Sequence, residues 1–154
     1  MIRTFPVLAF LLGLAATASP ARAAEDADTP PPPVNMTLHA GLDGPKLTVE
    51  GDCSVPNGAL IIYVAYLPKT PAKRIQGYAM VNHGHYKATI DVGAWPAGEI
   101  KVDADFQVYL QGLKQPDEVI ALYGEKGERM TGPQVVQGGA SFRAAATSTS
   151  VIKP

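Results

Sequence analysis

Cysteine is almost absent: the 154 residues contain only Cys53, so no disulfide can form within the chain and the fold must stand on packing. In "KLTVEGDCS", residues 46–54, the thiol shares parity with Leu47, Val49 and Gly51, which reads as a small hydrophobe on the apolar side of a strand. Charge is sparse too, at 18% of residues, with a formal net charge of −1. No basic stripe interrupts it, which argues against nucleic acid and anionic membranes as partners. No apolar run reaches the roughly 20 residues of a membrane-crossing helix. The signatures G-x-S-x-G, H-E-x-x-H and C-x-x-C are missing, and "GEKGERMTG" lacks the G-K-[ST] ending of a phosphate loop. Asp103 and Asp105 share a strand face with Lys101 and Gln107, the pattern of a solvated sheet surface. With no nucleophile–base pair, the chain reads as a non-enzyme without catalytic residues or a required cofactor.

What is present begins with an export pattern. Arg3 precedes an apolar run over residues 5–16, and Ala21 and Ala23 form an A-x-A site. Residues 1–23 therefore read as a signal peptide cleaved near Ala23–Ala24, which predicts a periplasmic or extracellular protein. Cleavage removes Arg3 and Arg22, taking the formal charge from −1 to −3. No cysteine near that point could carry a lipid. Residues 24–33, "AEDADTPPPP", form an acidic and proline-rich linker of extended character. A domain over 34–146 follows, and 147–154 is expected to be a flexible tail.

Period-two alternation dominates the domain. "VNMTLHAGL" (34–42) and "KLTVEGDCS" (46–54) read as strands joined by a turn. "ALIIYVAYL" (59–67) is apolar on both parities, as a central strand covered on both faces would be. "RIQGYAMVN" (74–82) and "HYKATIDV" (85–92) read as a hairpin. "IKVDADFQVYL" (100–110) alternates cleanly, and a last strand is expected over 134–146, broken by glycines 138 and 139. "PDEVIALYG" (116–124) reads as a short helix, with Pro116 at its start, acids in its first turn and Gly124 at its end. The sum is all-β: an antiparallel β-sandwich of immunoglobulin-like type, with about seven strands and one short connecting helix.

"AMVNHGHYKATI", residues 79–90, carries the one concentration of soft-metal ligands: Met80, His83 and His85. A turn at His83-Gly84 accounts for every residue in it. Val81, Tyr86, Ala79 and Ala88 then share the apolar side, while Met80, Asn82, His85 and Lys87 share the wet side. The alternative is a copper site of thioether and imidazole ligands, although Lys87 would repel a cation there. Tyr78 and Tyr109 carry outward parity and Trp95 sits in the loop "GAWPAG". If these three converged, they would form an aromatic platform for a ligand such as a sugar.

"VPNGALIIYVAYL" and "GAWPAGEIKVDADF" resemble strands of bacterial exported immunoglobulin-like or fibronectin type III-like domains. Glu99-Ile100 stands where that family's motif has Thr-Tyr. "QPDEVIALYGEKGERMTGPQVV" is similar to a segment of small exported bacterial proteins. The resemblance spans most of residues 45–137 and implies a sandwich outside the cytoplasm, with no catalytic residue to transfer. The expectation is a non-catalytic module that binds a protein or cell-envelope component through a sheet face or an edge strand. The alternatives are copper binding through Met80, His83 and His85, and carbohydrate binding through Tyr78, Trp95 and Tyr109.

Overall fold

The computed structural model describes residues 29–138 and 142–154. The expected signal peptide, and the linker up to residue 28, lie outside the described residues. In chain order the elements are β1 (His39–Asp43), β2 (Lys46–Asp52), β3 (Leu60–Leu67), β4 (Thr70–Met80), β5 (His85–Asp91), β6 (Gly98–Gln107), β7 (Tyr109–Leu110), β8 (Leu113–Lys114), α1 (Asp117–Tyr123), β9 (Val135–Gly138) and β10 (Phe142–Lys153). All strand pairs are antiparallel. A three-stranded sheet runs β1-β2-β5, a five-stranded sheet runs β4-β3-β6-β10-β9, and β7-β8 form a small ribbon.

The two larger sheets contribute alternate residues to one core, an arrangement compatible with a β-sandwich. Leu47, Val49, Tyr86 and Ile90 enter it from the first sheet, and Ile61, Ala65, Ile100, Val102, Ala104 and Phe106 from the second. Helix α1 adds Val119 and Tyr123, four residues apart and so on one helical face. The Tyr123 ring meets Phe106 edge-on, with centroids 5.7 Å apart and planes at 71°, a geometry that contributes about 0.5–1.5 kcal/mol beyond buried area. Gly124 follows with φ 87°, and its N–H donates to Ile120 O, so the helix ends at the glycine expected to end it.

Three expectations are corrected. The described residues hold ten strands rather than about seven. After Gln107 the chain bends into the β7-β8 ribbon, and the expected last strand is two antiparallel strands, β9 and β10. Residues 147–153 are not a flexible tail. They pair one-for-one with β6 from Thr147↔Ala104 to Lys153↔Gly98, and Lys153 Nζ donates to Trp95 O. Finally, 74–82 and 85–92 are not a hairpin: β4 pairs with β3 in one sheet and β5 with β2 in the other. Of the expected pairing only the Asn82↔His85 bridge exists.

The linker's described end is also tied down. Thr29 O accepts from Arg129 Nη2 at 3.1 Å, and Pro33 O accepts from Ser54 Oγ at 2.9 Å. Beyond it, Val34, Met36 and Leu38 alternate into the core. This segment is held by Val34 N–H to Thr131 O (2.6 Å) on one side and Thr37 N–H to Asp52 O (2.8 Å) on the other.

Candidate functional site

Strand alternation gives each large sheet an outer face, and the two outer faces differ. On the three-stranded sheet the register sets His39, Glu50 and Lys87 in one cross-strand row, Thr48 beside Thr89 in the next, and Asp43, Lys46 and Asp91 in a third. Lys87 Nζ pairs with Glu50 at 2.8 Å and holds that carboxyl below its ordinary pKa. His85 Nδ1 meets Asp52 Oδ1 at 3.1 Å. Such exposed pairs are screened by solvent and contribute little to stability; they make a solvated surface.

The five-stranded sheet is different. Its outer rows run Met80, Leu60; then Tyr78, Ile62, Asp105, Ala146; then Gln76, Val64, Asp103, Ser148; then Arg74, Tyr66, Lys101, Ser150. An apolar stripe therefore follows β3 along its outward parity, which explains why "ALIIYVAYL" is apolar on both. Among the described residues, the exposed large hydrophobics are Tyr78, Met80, Tyr109, Leu113, Val136 and Ile152. Every one lies on this sheet or on the β7-β8 ribbon at its end. Scattered exposed apolar residues are ordinary; their concentration on one sheet and its ribbon makes this a candidate interaction surface.

Two shallow concavities open here. One, of about 330 Å³, is lined by Ile62, Val64, Arg74, Gln76, Tyr78 and Asp105, with Leu110 at its far wall. The other, of about 340 Å³, lies under the ribbon between Tyr109, Leu113 and Ile120, and shares Leu110. Gln115 fixes the ribbon to the sheet. It is 1% exposed, and its Nε2 donates to Leu60 O (2.9 Å) and Gln107 O (2.8 Å) while its Oε1 accepts from Leu60 N–H (2.8 Å). The Asp105 carboxyl is pushed above its ordinary pKa, first by burial and then by the Asp103 charge beside it. Asp105 is thus less freely solvated than alternation alone implies.

The candidate metal ligands lie at the crossing between sheets. His83 adopts φ 50° and Gly84 φ 76°, the paired left-handed conformation of a tight turn, closed by Asn82 N–H to His85 O at 2.8 Å. Asn57 Oδ1 accepts from His83 N–H at 2.7 Å, and Gly84 O accepts from Cys53 N–H at 2.8 Å. Met80, at 64% exposure, ends β4 on one sheet, and His85 opens β5 on the other with its Nδ1 on Asp52. Among the described residues, no three His, Cys, Asp or Glu side chains cluster as metal ligands. Of the aromatic trio, Tyr78 and Tyr109 are exposed at 40% and 56%, while Trp95 is 7% exposed and belongs to the core. Tyr78 lines one concavity and Tyr109 the other, so the structure brings Leu110, rather than Trp95, between them. Leu113 and Gln115 escape sequence reasoning: a two-residue strand carries no period, and a buried glutamine has no pattern of its own.

No protein-family model matches the chain, and no curated protein matches it.

Proposed function

We propose that the chain is an exported, non-catalytic β-sandwich of immunoglobulin-like type that binds a protein or cell-envelope component through the outer face of its five-stranded sheet. The sandwich reading is supported by connectivity. Lettered in chain order, β1, β2 and β5 take the places A-B-E, and β4, β3, β6 and β10 the places C′-C-F-G, as in fibronectin type III-like domains. Export rests on the leader pattern of residues 1–23.

The observation that carries the binding reading is the asymmetry of the two outer faces. One is salt-bridged and threonine-rich; the other, together with the ribbon at its end, holds the six exposed large hydrophobics found among the described residues. A partner covering the second face would desolvate Tyr78, Tyr109 and Leu113, and aromatic anchors of this kind carry most of the energy of an interface. The test is photo-crosslinking in the producing cell, with benzoylphenylalanine in place of Tyr78, Tyr109 or, as control, Thr89. A discrete adduct from Tyr78 and Tyr109 and none from Thr89 is expected. Equal labelling from all three positions, or none, overturns the reading. Intact mass of the exported chain beginning at Ala24 tests the leader.

A further inference from the structure

We propose that the free edge of β4 takes up an extended peptide as an added antiparallel strand, one with an apolar residue opposite Tyr78 and an acidic residue opposite Arg74. This rests on the binding reading above and gives its partner a chemistry.

Strand β4 ends the five-stranded sheet. Val81 N–H donates to Ala59 O at 2.8 Å, and the register then runs Ile61↔Ala79, Tyr63↔Gly77 and Ala65↔Ile75. Antiparallel ladders alternate, so those residues turn their backbone groups towards β3. Arg74, Gln76, Tyr78 and Met80 turn theirs to the open side. Leu60 agrees with this parity, since its N–H and C=O point the other way, to Gln115. No hydrogen bond from the backbone of these four residues to any element besides β3 occurs among the described residues.

Natural edges are blunted by proline, charge, bulges or covering elements. All of these devices on β4 sit at one end. The register slips between Tyr66↔Arg74 and Leu67↔Thr70, a bulge that contains Pro71 and Lys73. From Ile75 to Met80 there is no charge, no proline and no bulge. The four outward residues also place their side chains on the apolar outer face, beside the concavity of Tyr78, Gln76 and Arg74.

Charge selects the occupant. Residues 69–80 include Lys69, Lys73 and Arg74 and no acid, and none of these cations makes an ion pair among the described residues. Asp103 and Asp105 face the same side from β6, two strands away, or about 10 Å. An incoming strand lies beside Arg74 itself. Antiparallel addition sets its residues opposite Met80, Tyr78, Gln76 and Arg74 in that order. The motif is then apolar-x-apolar-x-x-x-acid, with backbone bonds supplying affinity and alternate side chains specificity.

The probe is a fluorescein-labelled peptide, Val-Thr-Val-Thr-Thr-Thr-Glu, followed by anisotropy against the mature chain, with the same peptide ending in Lys as its partner probe. Saturable binding of the Glu peptide and weaker binding of the Lys peptide are expected. Gln76→Pro removes an N–H that β3 does not use, so the sheet tolerates it, and binding should fall about tenfold with the lost backbone bond. Should that variant lose its fold by circular dichroism, Arg74→Glu serves instead and should reverse the preference between the two peptides. No binding, or binding indifferent to both substitutions, overturns the proposal. So does a dimer by sedimentation that Gln76→Pro dissolves, since a second copy would then own the edge. If Tyr109 still crosslinks in the Gln76→Pro chain while the peptide never binds, the edge proposal fails and the binding face stands.

Discussion

Gln115 acts as a one-residue strand for Leu60: its side-chain amide accepts from the Leu60 N–H at 2.8 Å and donates to the Leu60 carbonyl at 2.9 Å. Gln134 does the same for Met36, at 2.9 and 2.6 Å. Each amide satisfies both backbone groups of one residue across a long stretch of chain. Gln115→Leu keeps the approximate volume and leaves Leu60 and Gln107 without those partners, so a loss of about 2–4 kcal/mol is expected. Urea unfolding measures it; a loss within experimental error would mean that water replaces the amide.

Two buried tyrosines should respond oppositely to loss of the hydroxyl. Tyr86 Oη donates to Thr37 O at 2.6 Å, whereas the buried Tyr123 Oη finds no partner among the described residues. Tyr86→Phe should destabilise by about 1 kcal/mol and leave the Thr37 carbonyl unpaired, while Tyr123→Phe should be neutral or stabilising. The ordering of the two thermal midpoints is the readout.

Asp105 should make the fold weaken as pH rises. Its folded pKa lies above its unfolded value, so between the two the native state holds more protons than the unfolded state. Stability then falls as pH climbs through that window, and levels off above the folded pKa. Asp105→Asn should flatten this slope and be the more stable form at neutral pH. Chemical denaturation at several pH values from 3 to 7 decides, and an unchanged slope would assign the effect elsewhere.

Cys53 should be inert until the chain unfolds. It is buried in the core, and burial, followed by the Asp52 charge, raises its thiol pKa. A thiol reagent at mildly alkaline pH should label it at the unfolding rate in buffer and at once in denaturant. Immediate labelling of the native protein would remove it from the apolar interior.

Legibility in the sequence followed periodicity. Strand β6 was readable residue by residue, since Ile100, Val102, Ala104 and Phe106 alternate with Lys101, Asp103, Asp105 and Gln107 and the burial follows suit. Helix α1 was readable from Pro116, its acids and Gly124. Pairing was not. A hairpin between β4 and β5 would put Ala79, Val81 and Tyr86 inward and Met80, His85 and Lys87 outward, and the crossing between sheets does the same. Alternation reports a residue's face and is silent on its neighbour strand. The candidate face was half legible: Tyr78 and Tyr109 showed by parity, while the ribbon and its glutamine anchor depend on contacts far apart in the chain.

Strand β10 lies between β6 and β9 although it is the last element in chain order. During synthesis, β6 therefore keeps one open edge until residues 142–153 have left the ribosome, and the five-stranded sheet cannot close before then. Long-range pairing of this kind slows folding. Under the export proposed above, that late closure would leave the chain threadable until β10 takes its place beside β6.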